Sequence, residues 1–269
     1  MLRHLTRIPG FTRLWQRFPL GSPELRTRFD AWSRPPYAYG VWRALDLARS
    51  LDLDGISVVE FGVAGGSGLV ALENIAHAMA AGAGVSIDVF GFDSGNGNPP
   101  PGDFRDLPYV WAEGDYRMDE QKLKGRLHSA DLRLGHLAST IPAALERLRY
   151  PVGFIAFDLD YYSSTMQAFG IFDGASGTRL PRVFCYFDDL VWPERACHSE
   201  FTGEYAAIRD FNEQSAGKKI AQIANLRWTR AHAREWNEQM YVLHDFEHRL
   251  YSQNITPAGA EYRQLQLDS

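Results

Sequence analysis

Glu60-Phe61-Gly62-Val63-Ala64-Gly65-Gly66-Ser67-Gly68 follows the β-branched and apolar run Ile56 to Phe61 and precedes the alanine-rich stretch Leu69 to Ala81. A buried strand that ends in glycines and opens a helix is the first half of a βαβ unit. Glycine lets the backbone turn sharply and lets a ligand come close, while the helix N–H groups point at it. Glycines at 62, 65, 66 and 68 do not give the G-x-G-x-x-G order of a dinucleotide fingerprint in its place after the strand. Nor does the Gly-Lys-Ser/Thr of a phosphate-cradling loop follow. Both nucleotide readings weaken, and a plain structural turn is the alternative to a ligand site.

Outward from this turn the chain alternates short apolar runs with longer amphipathic stretches, the pattern of a parallel sheet with helices on both faces. Tyr37 to Leu53 has helical spacing and ends in Asp-Gly. Strands are predicted at Ile56 to Phe61, Ile87 to Phe92, Asp131 to Leu134, Gly153 to Phe157, Arg182 to Phe187, Lys219 to Ala224 and Gln239 to His244. Helices are predicted at Leu69 to Ala81, Asp119 to Leu127, Ile141 to Arg147 and Glu204 to Gln214. The stretch Asp93 to Asp106 (DSGNGNPPPGDFRD) reads only as loop, and its place beyond a strand's carboxyl end makes it a candidate lid. The fold class is α/β, a doubly wound sheet in one domain over residues 36–269, preceded by an arm or capping segment over residues 1–35.

Composition narrows the function classes. The 269 residues are 45% hydrophobic and 23% charged, enough to build a core without metal or disulfide. A net charge of −5 argues against general affinity for phosphate backbones, so no nucleic-acid partner is expected. Cys185 and Cys197 have no paired zinc spacing and are too few for a disulfide framework, which suits a reducing, cytoplasmic setting. In the arm, Arg3, Arg7, Arg13 and Arg17 alternate with apolar residues and no acid precedes Glu24. A targeting or membrane-surface segment is one reading. Pro9, Gly10 and Pro19 interrupt it, which favours a capping segment, and no stretch is apolar enough to span a bilayer.

Acidic residues leave two further strand ends, in Phe157-Asp158-Leu159-Asp160-Tyr161-Tyr162-Ser163-Ser164-Thr165 and in Asp188-Asp189. If these strands are parallel neighbours, four carboxylates crowd one carboxyl edge, where open α/β folds bind ligands. Asp158 and Asp160, two apart, would project to one side of an extended backbone. Such a cluster repels itself and wants a cation or a shared proton. Oxygen donors without Cys or His suit a hard dication, Mg²⁺ or Mn²⁺ or Ca²⁺ in its place. Asp-Tyr and Asp-Asp as mere turn formers are the alternative.

The turn EFGVAGG resembles motif I of the class I S-adenosylmethionine-dependent methyltransferases, with Asp93 in GFDS as the acid that would accept the ribose hydroxyls. The string D-x-D-x-Y-x-S-T (Asp158, Asp160, Tyr162, Ser164, Thr165) is similar to the signature of the metal-dependent sugar O-methyltransferases of the macrocin O-methyltransferase family, with its mycinamicin and aminocoumarin relatives. EFGVAGGS, GFDS, GDYRMD, the G-x-x-x-x-T-I-P of Gly135 to Pro142, and FDD agree, in order, from about Pro36 to at least Trp192. The loop SGNGNPPPGD departs from the family's shorter Gly-Leu-Pro turn, and the first 35 residues match no part of the pattern.

The resemblance implies a Rossmann-like, seven-stranded, mostly parallel sheet with an antiparallel last strand. It implies S-adenosyl-L-methionine held by Glu60, Gly62, Gly66, Ser67, Asp93 and Ser94. Mg²⁺ would sit on Asp158, Asp188 and Asp189, with Asp160 as general base. The reaction would be O-methylation of a small natural product, in an enzyme that forms dimers or larger assemblies. Metal-independent N- or O-methylation and a non-catalytic cofactor-binding module are the alternatives. His128, His136 and His198 are lesser candidates for a base. Trp111, Trp192 and Tyr116 flank the acceptor side as stacking surfaces.

Overall fold

The computed structural model describes residues 2–6, 8 and 10–256. Three short helices open the chain: α1 (Leu2–Leu5), α2 (Phe11–Arg17) and α3 (Pro23–Arg28). The arm is docked, with Trp15 buried against Phe11 and Phe29, and Gln16 donating to the Trp32 carbonyl at 2.7 Å. Arg230, far along the chain, meets Asp30 at 3.0 Å. Arg7 and Pro9, part of the targeting reading, lie outside the described residues. Among the described residues no helix is long and apolar enough to cross a membrane.

The main body runs α4 (Pro35–Ser50), β1 (Gly55–Phe61), α5 (Ser67–Ala83), β2 (Ser86–Asp93), α6 (Glu120–Lys124), β3 (Asp131–Leu134) and α7 (Leu137–Leu145). It continues with β4 (Val152–Phe157), α8 (Tyr162–Ala168), β5 (Arg179–Phe187), α9 (Gly203–Gln214), β6 (Lys218–Gln222), α10 (Leu226–Thr229) and β7 (Met240–Asp245). All seven predicted strands are present. The helix placed at Ile141 starts instead at Leu137: Pro142 looks like a helix start, yet the His136 carbonyl already accepts from the Ser139 and Thr140 amides. The sequence reading has no counterpart of α8.

One seven-stranded sheet has the order β3-β2-β1-β4-β5-β7-β6. β1 to β5 pair parallel, and β7 runs antiparallel to both β5 and β6. β1 and β4 are buried along their whole length, as strands covered on both faces must be. One core packs α4 and α5 against the sheet through Tyr37, Leu45, Leu72 and Phe154. The other packs α7, α8 and α9 through Ile141, Ala168, Phe169 and Ala207. Chain order reverses between β1 and β4, so the crossovers diverge there and leave a crevice at the strands' carboxyl ends.

The loop after β2 is pinned. Asp106, buried, accepts from the Gly102 amide at 2.7 Å and from the Ser163 amide and hydroxyl at 2.8 and 2.9 Å, tying the loop to the start of α8. Asn98 and Asp115 clasp its two limbs, the Asn98 amide donating to the Asp115 carbonyl at 2.8 Å. The candidate lid is therefore a strap fastened over the crevice.

Candidate functional site

Four phenylalanines set the level of the site. Phe61 pairs with Phe92 and with Phe157 in register, and Phe157 pairs with Phe187. Their rings stack across the sheet at centroid distances of 4.9, 5.6 and 4.7 Å. Each ring is buried at or next to the last residue of its strand, so the residue after it emerges at one edge: Gly62, Asp93, Asp158 and Asp188. The four segments read separately in the sequence thus share one cavity of about 470 Å³.

Backbone contact explains Gly62. Its φ is 83°, and a Cβ there would sit 1.7 Å from the Asp158 carbonyl oxygen, so the glycine turn and the first aspartate of the D-x-D string press together. Asp93 holds the same turn: Oδ2 accepts from the Val63 and Ala64 amides at 2.9 Å each, and Oδ1 from the Gly95 amide at 2.6 Å. Ser94 and Ser67 line the cavity, and Ser94 donates its hydroxyl to the Gly97 carbonyl. Gly66 does not line it, because its α-carbon faces Leu123.

Glu60 is fully buried beneath the turn. The Tyr37 hydroxyl donates to Oε1 at 2.6 Å, and the start of α5 approaches so closely that a Cβ on Gly68 would lie 1.9 Å from that oxygen. Oε2 is buried without a hydrogen-bond partner, and Glu60 lines the cavity. Burial pushes the Glu60 carboxyl up to about 8, against the pull of the Tyr37 hydrogen bond and the Arg34 charge. A folded-state value raised above the unfolded one means stability that is complete below the unfolded pKa and lost as pH rises through about 8. Glu60→Gln keeps an acceptor for Tyr37 and removes the titration. Its stability relative to wild type should therefore rise between about pH 5 and pH 8, with a slope of up to about 1.4 kcal/mol per pH unit. Urea unfolding of both proteins at the two pH values measures this, and an unchanged difference would contradict it.

Asp160 departs from the expected extended geometry. Its φ is 58°, and the Tyr161 amide donates to the Leu159 carbonyl at 2.5 Å across it, a three-residue turn. Asp158 and Asp160 therefore do not share one side of an extended strand; the turn swings Asp160 toward the acids that follow β5. There the Asp160 amide donates to Asp189 Oδ2 at 3.0 Å, and the strap's Asn98 donates its side-chain amide to Asp160 Oδ2 at 2.8 Å. The Tyr186 hydroxyl donates to Asp188 Oδ1 at 2.7 Å.

A fifth acid, Glu204, stands behind them, fully buried, accepting from the Asp189 amide at 3.1 Å with its other oxygen unpartnered. Burial first, and then neighbouring acidic charge, Asp188 foremost for Asp158 and Glu204 and Asp160 for Asp189, raise Asp158, Asp189 and Glu204 well above the carboxylate range. Burial also raises Asp160 to about 6 although Asn98 opposes it. The set is oxygen-only and short of positive charge, which fits the chemistry of a hard dication. Among the described residues, however, no three carboxylates converge as a ligating shell.

Trp111, Tyr116 and Trp192 line the same cavity, Tyr116 and Trp192 largely exposed. Of the histidines, His136 lines it and His128 and His198 do not. Sequence reasoning passed over Tyr37, Arg34, Asn98 and Glu204. An acid in the first turn of α9 was visible, but nothing in the sequence showed that it would be buried against Asp189.

No model of a known protein family matches the chain, and no curated protein matches it. Solved structures do. The calicheamicin methyltransferase CalS11 superposes with a TM-score of 0.50 at 20% identity, over 76% of this chain and 77% of that one. The O-methyltransferase NovP gives 0.49 at 15% identity, over 71% and 77%. An O-methyltransferase from Bacillus cereus gives 0.38 at 11% identity, over 74% and 77%.

Proposed function

We propose that this chain, which has the class I S-adenosylmethionine-dependent methyltransferase fold, transfers a methyl group from S-adenosyl-L-methionine to a hydroxyl of a sugar or other small natural product, assisted by Mg²⁺. The observation that carries the reading is the convergence of the glycine turn, Asp93 and the paired aspartates in one crevice at the β1/β4 switch point. CalS11, a calicheamicin methyltransferase, superposes on this fold, and the reading takes a comparable acceptor.

In this reading Glu60 offers its unpartnered oxygen to the cofactor's ammonium, Asp93 accepts its ribose hydroxyls, and Gly62, Ser67 and Ser94 shape the contact. Gly66 acts through the turn it helps to form. Asp160 accepts the proton of the acceptor hydroxyl, held in place by its own backbone bond to Asp189 and by Asn98. Asp158, Asp188 and Asp189 would hold Mg²⁺, which when bound lowers the pKa of a coordinated hydroxyl and fixes its position. Trp192 and Tyr116 give the acceptor apolar surface at the mouth and exclude water from one side. The arm over residues 1–35 caps the domain, and a cytoplasmic setting and self-association belong to the same proposal.

That no three carboxylates converge among the described residues favours one second reading, metal-independent transfer to oxygen or nitrogen with Asp160 alone. Chelation separates them. Turnover on a panel of hydroxylated natural products, followed by mass shift, should fall at least about tenfold in EDTA and return with added Mg²⁺. Activity indifferent to EDTA would leave the metal-free mechanism.

A further inference from the structure

Six carboxylates line the cavity: Glu60, Asp93, Asp158, Asp160, Asp188 and Asp189. Against them stands Arg34, the one Lys or Arg among its described lining residues. The proposed cofactor carries an ammonium and a sulfonium, which suit such a cavity, and also a carboxylate, for which a wall of acids offers no counter-charge. That carboxylate needs a local site of opposite sign.

Arg34 is placed for this by local sequence. It is the residue before α4, and Pro35 and Pro36 fix the helix start behind it, so its backbone is held at the crevice rim. Its guanidinium is only loosely engaged, at 3.3 Å from the Ser67 hydroxyl, 3.9 Å from Asp188 Oδ1 and 5.6 Å from the centroid of the Tyr37 ring. A guanidinium with five N–H groups and only two long polar contacts keeps its planar fork available for a bidentate partner. Ser67 begins the seventeen-residue α5, and its N-cap Gly66 provides no side chain to satisfy the first amides. Two independent sources of positive potential, the guanidinium and the uncapped helix start, therefore meet at Ser67.

We infer that Arg34, together with the first turn of α5, binds the carboxylate of the cofactor's amino-acid end. This rests on the cofactor reading above and adds a residue to it. It also orients the cofactor: the carboxylate lies on the Arg34 side of the turn, which leaves the ammonium for Glu60 beneath it.

Calorimetry with three probes tests the inference. S-adenosylhomocysteine has the whole amino-acid end, its decarboxylated analogue keeps only the amine, and 5′-methylthioadenosine lacks both charges. Arg34→Gln should weaken S-adenosylhomocysteine about ten- to hundredfold while changing the affinity of the other two less than about twofold. Arg34→Lys should recover part of the loss. Equal weakening of all three probes, or no weakening of S-adenosylhomocysteine, would overturn the assignment. A wild-type protein that binds none of the three would overturn the cofactor reading itself, a different outcome from the failure of Arg34 alone. Far-UV circular dichroism of both variants excludes loss of fold as the cause.

Discussion

Asp160→Asn is expected to lower methyl transfer about 10²- to 10⁴-fold while leaving S-adenosylhomocysteine affinity within about twofold. The substitution is unusually clean at this position. A φ of 58° strains most side chains, but Asn is among the few residues that accept it, so the turn survives. Asn also keeps an oxygen to accept from the Asn98 side chain and a backbone amide to donate to Asp189. What it loses is the ability to take a proton. Single-turnover transfer by mass spectrometry, with calorimetry on the same preparation, gives both readouts. Activity within about tenfold of wild type would remove Asp160 as the base, and His136, the histidine that lines the cavity, would be the next residue to replace. The same comparison decides against a non-catalytic module if wild type turns over and the variant does not.

Asp93→Ala should do the reverse, raising the S-adenosylhomocysteine dissociation constant about 10²-fold or more. Two effects add. Direct contact with the ribose hydroxyls would go, and so would the acceptor that now satisfies the Val63, Ala64 and Gly95 amides. Each lost charge-assisted hydrogen bond costs about 1.5–3 kcal/mol, so the turn itself should loosen. Asp93→Asn keeps one carbonyl oxygen for the turn and separates the two contributions: an intermediate affinity with near-wild-type stability would assign the remaining loss to the ligand. Unchanged affinity in both variants would remove Asp93 from the cofactor site.

Much of the fold was legible because its signals are local. β4 is a continuous apolar run and β1 is broken only by Ser57 and Glu60, a pattern that suits strands covered on both faces, so a doubly wound sheet followed from Val58, Val59 and Phe154 to Phe157. The glycine turn and the acids after β2, β4 and β5 were likewise readable, since each sits at the end of such a run. α7 starts four residues before the predicted Ile141, because the His136 carbonyl accepts from the Ser139 and Thr140 amides and begins the helix ahead of Pro142. Gly66 was read with its neighbours as a contact residue, and the packing of Leu123 where its Cβ would stand is not announced by spacing along the chain.

The site residues that went unread share a cause. Arg34, Tyr37 and Glu204 lie outside the motifs, and Asn98 lies in a loop whose path back to Asp160 no spacing announces; all four meet the acids only after the crossovers are made. Their signal is a distance, and distance across a sheet is not written in spacing along a chain. The Asp160 turn belongs to the same class, for its positive φ is held by partners just after β5 and on the strap. The amino-acid sequence alone thus determined the architecture and the identity of the acids, through hydrophobic periodicity and turn chemistry. Only the tertiary structure decided which of those acids face one another and which lone arginine stands among them, because stacking Phe61, Phe92, Phe157 and Phe187 at one level brings four separate strand ends to a common edge.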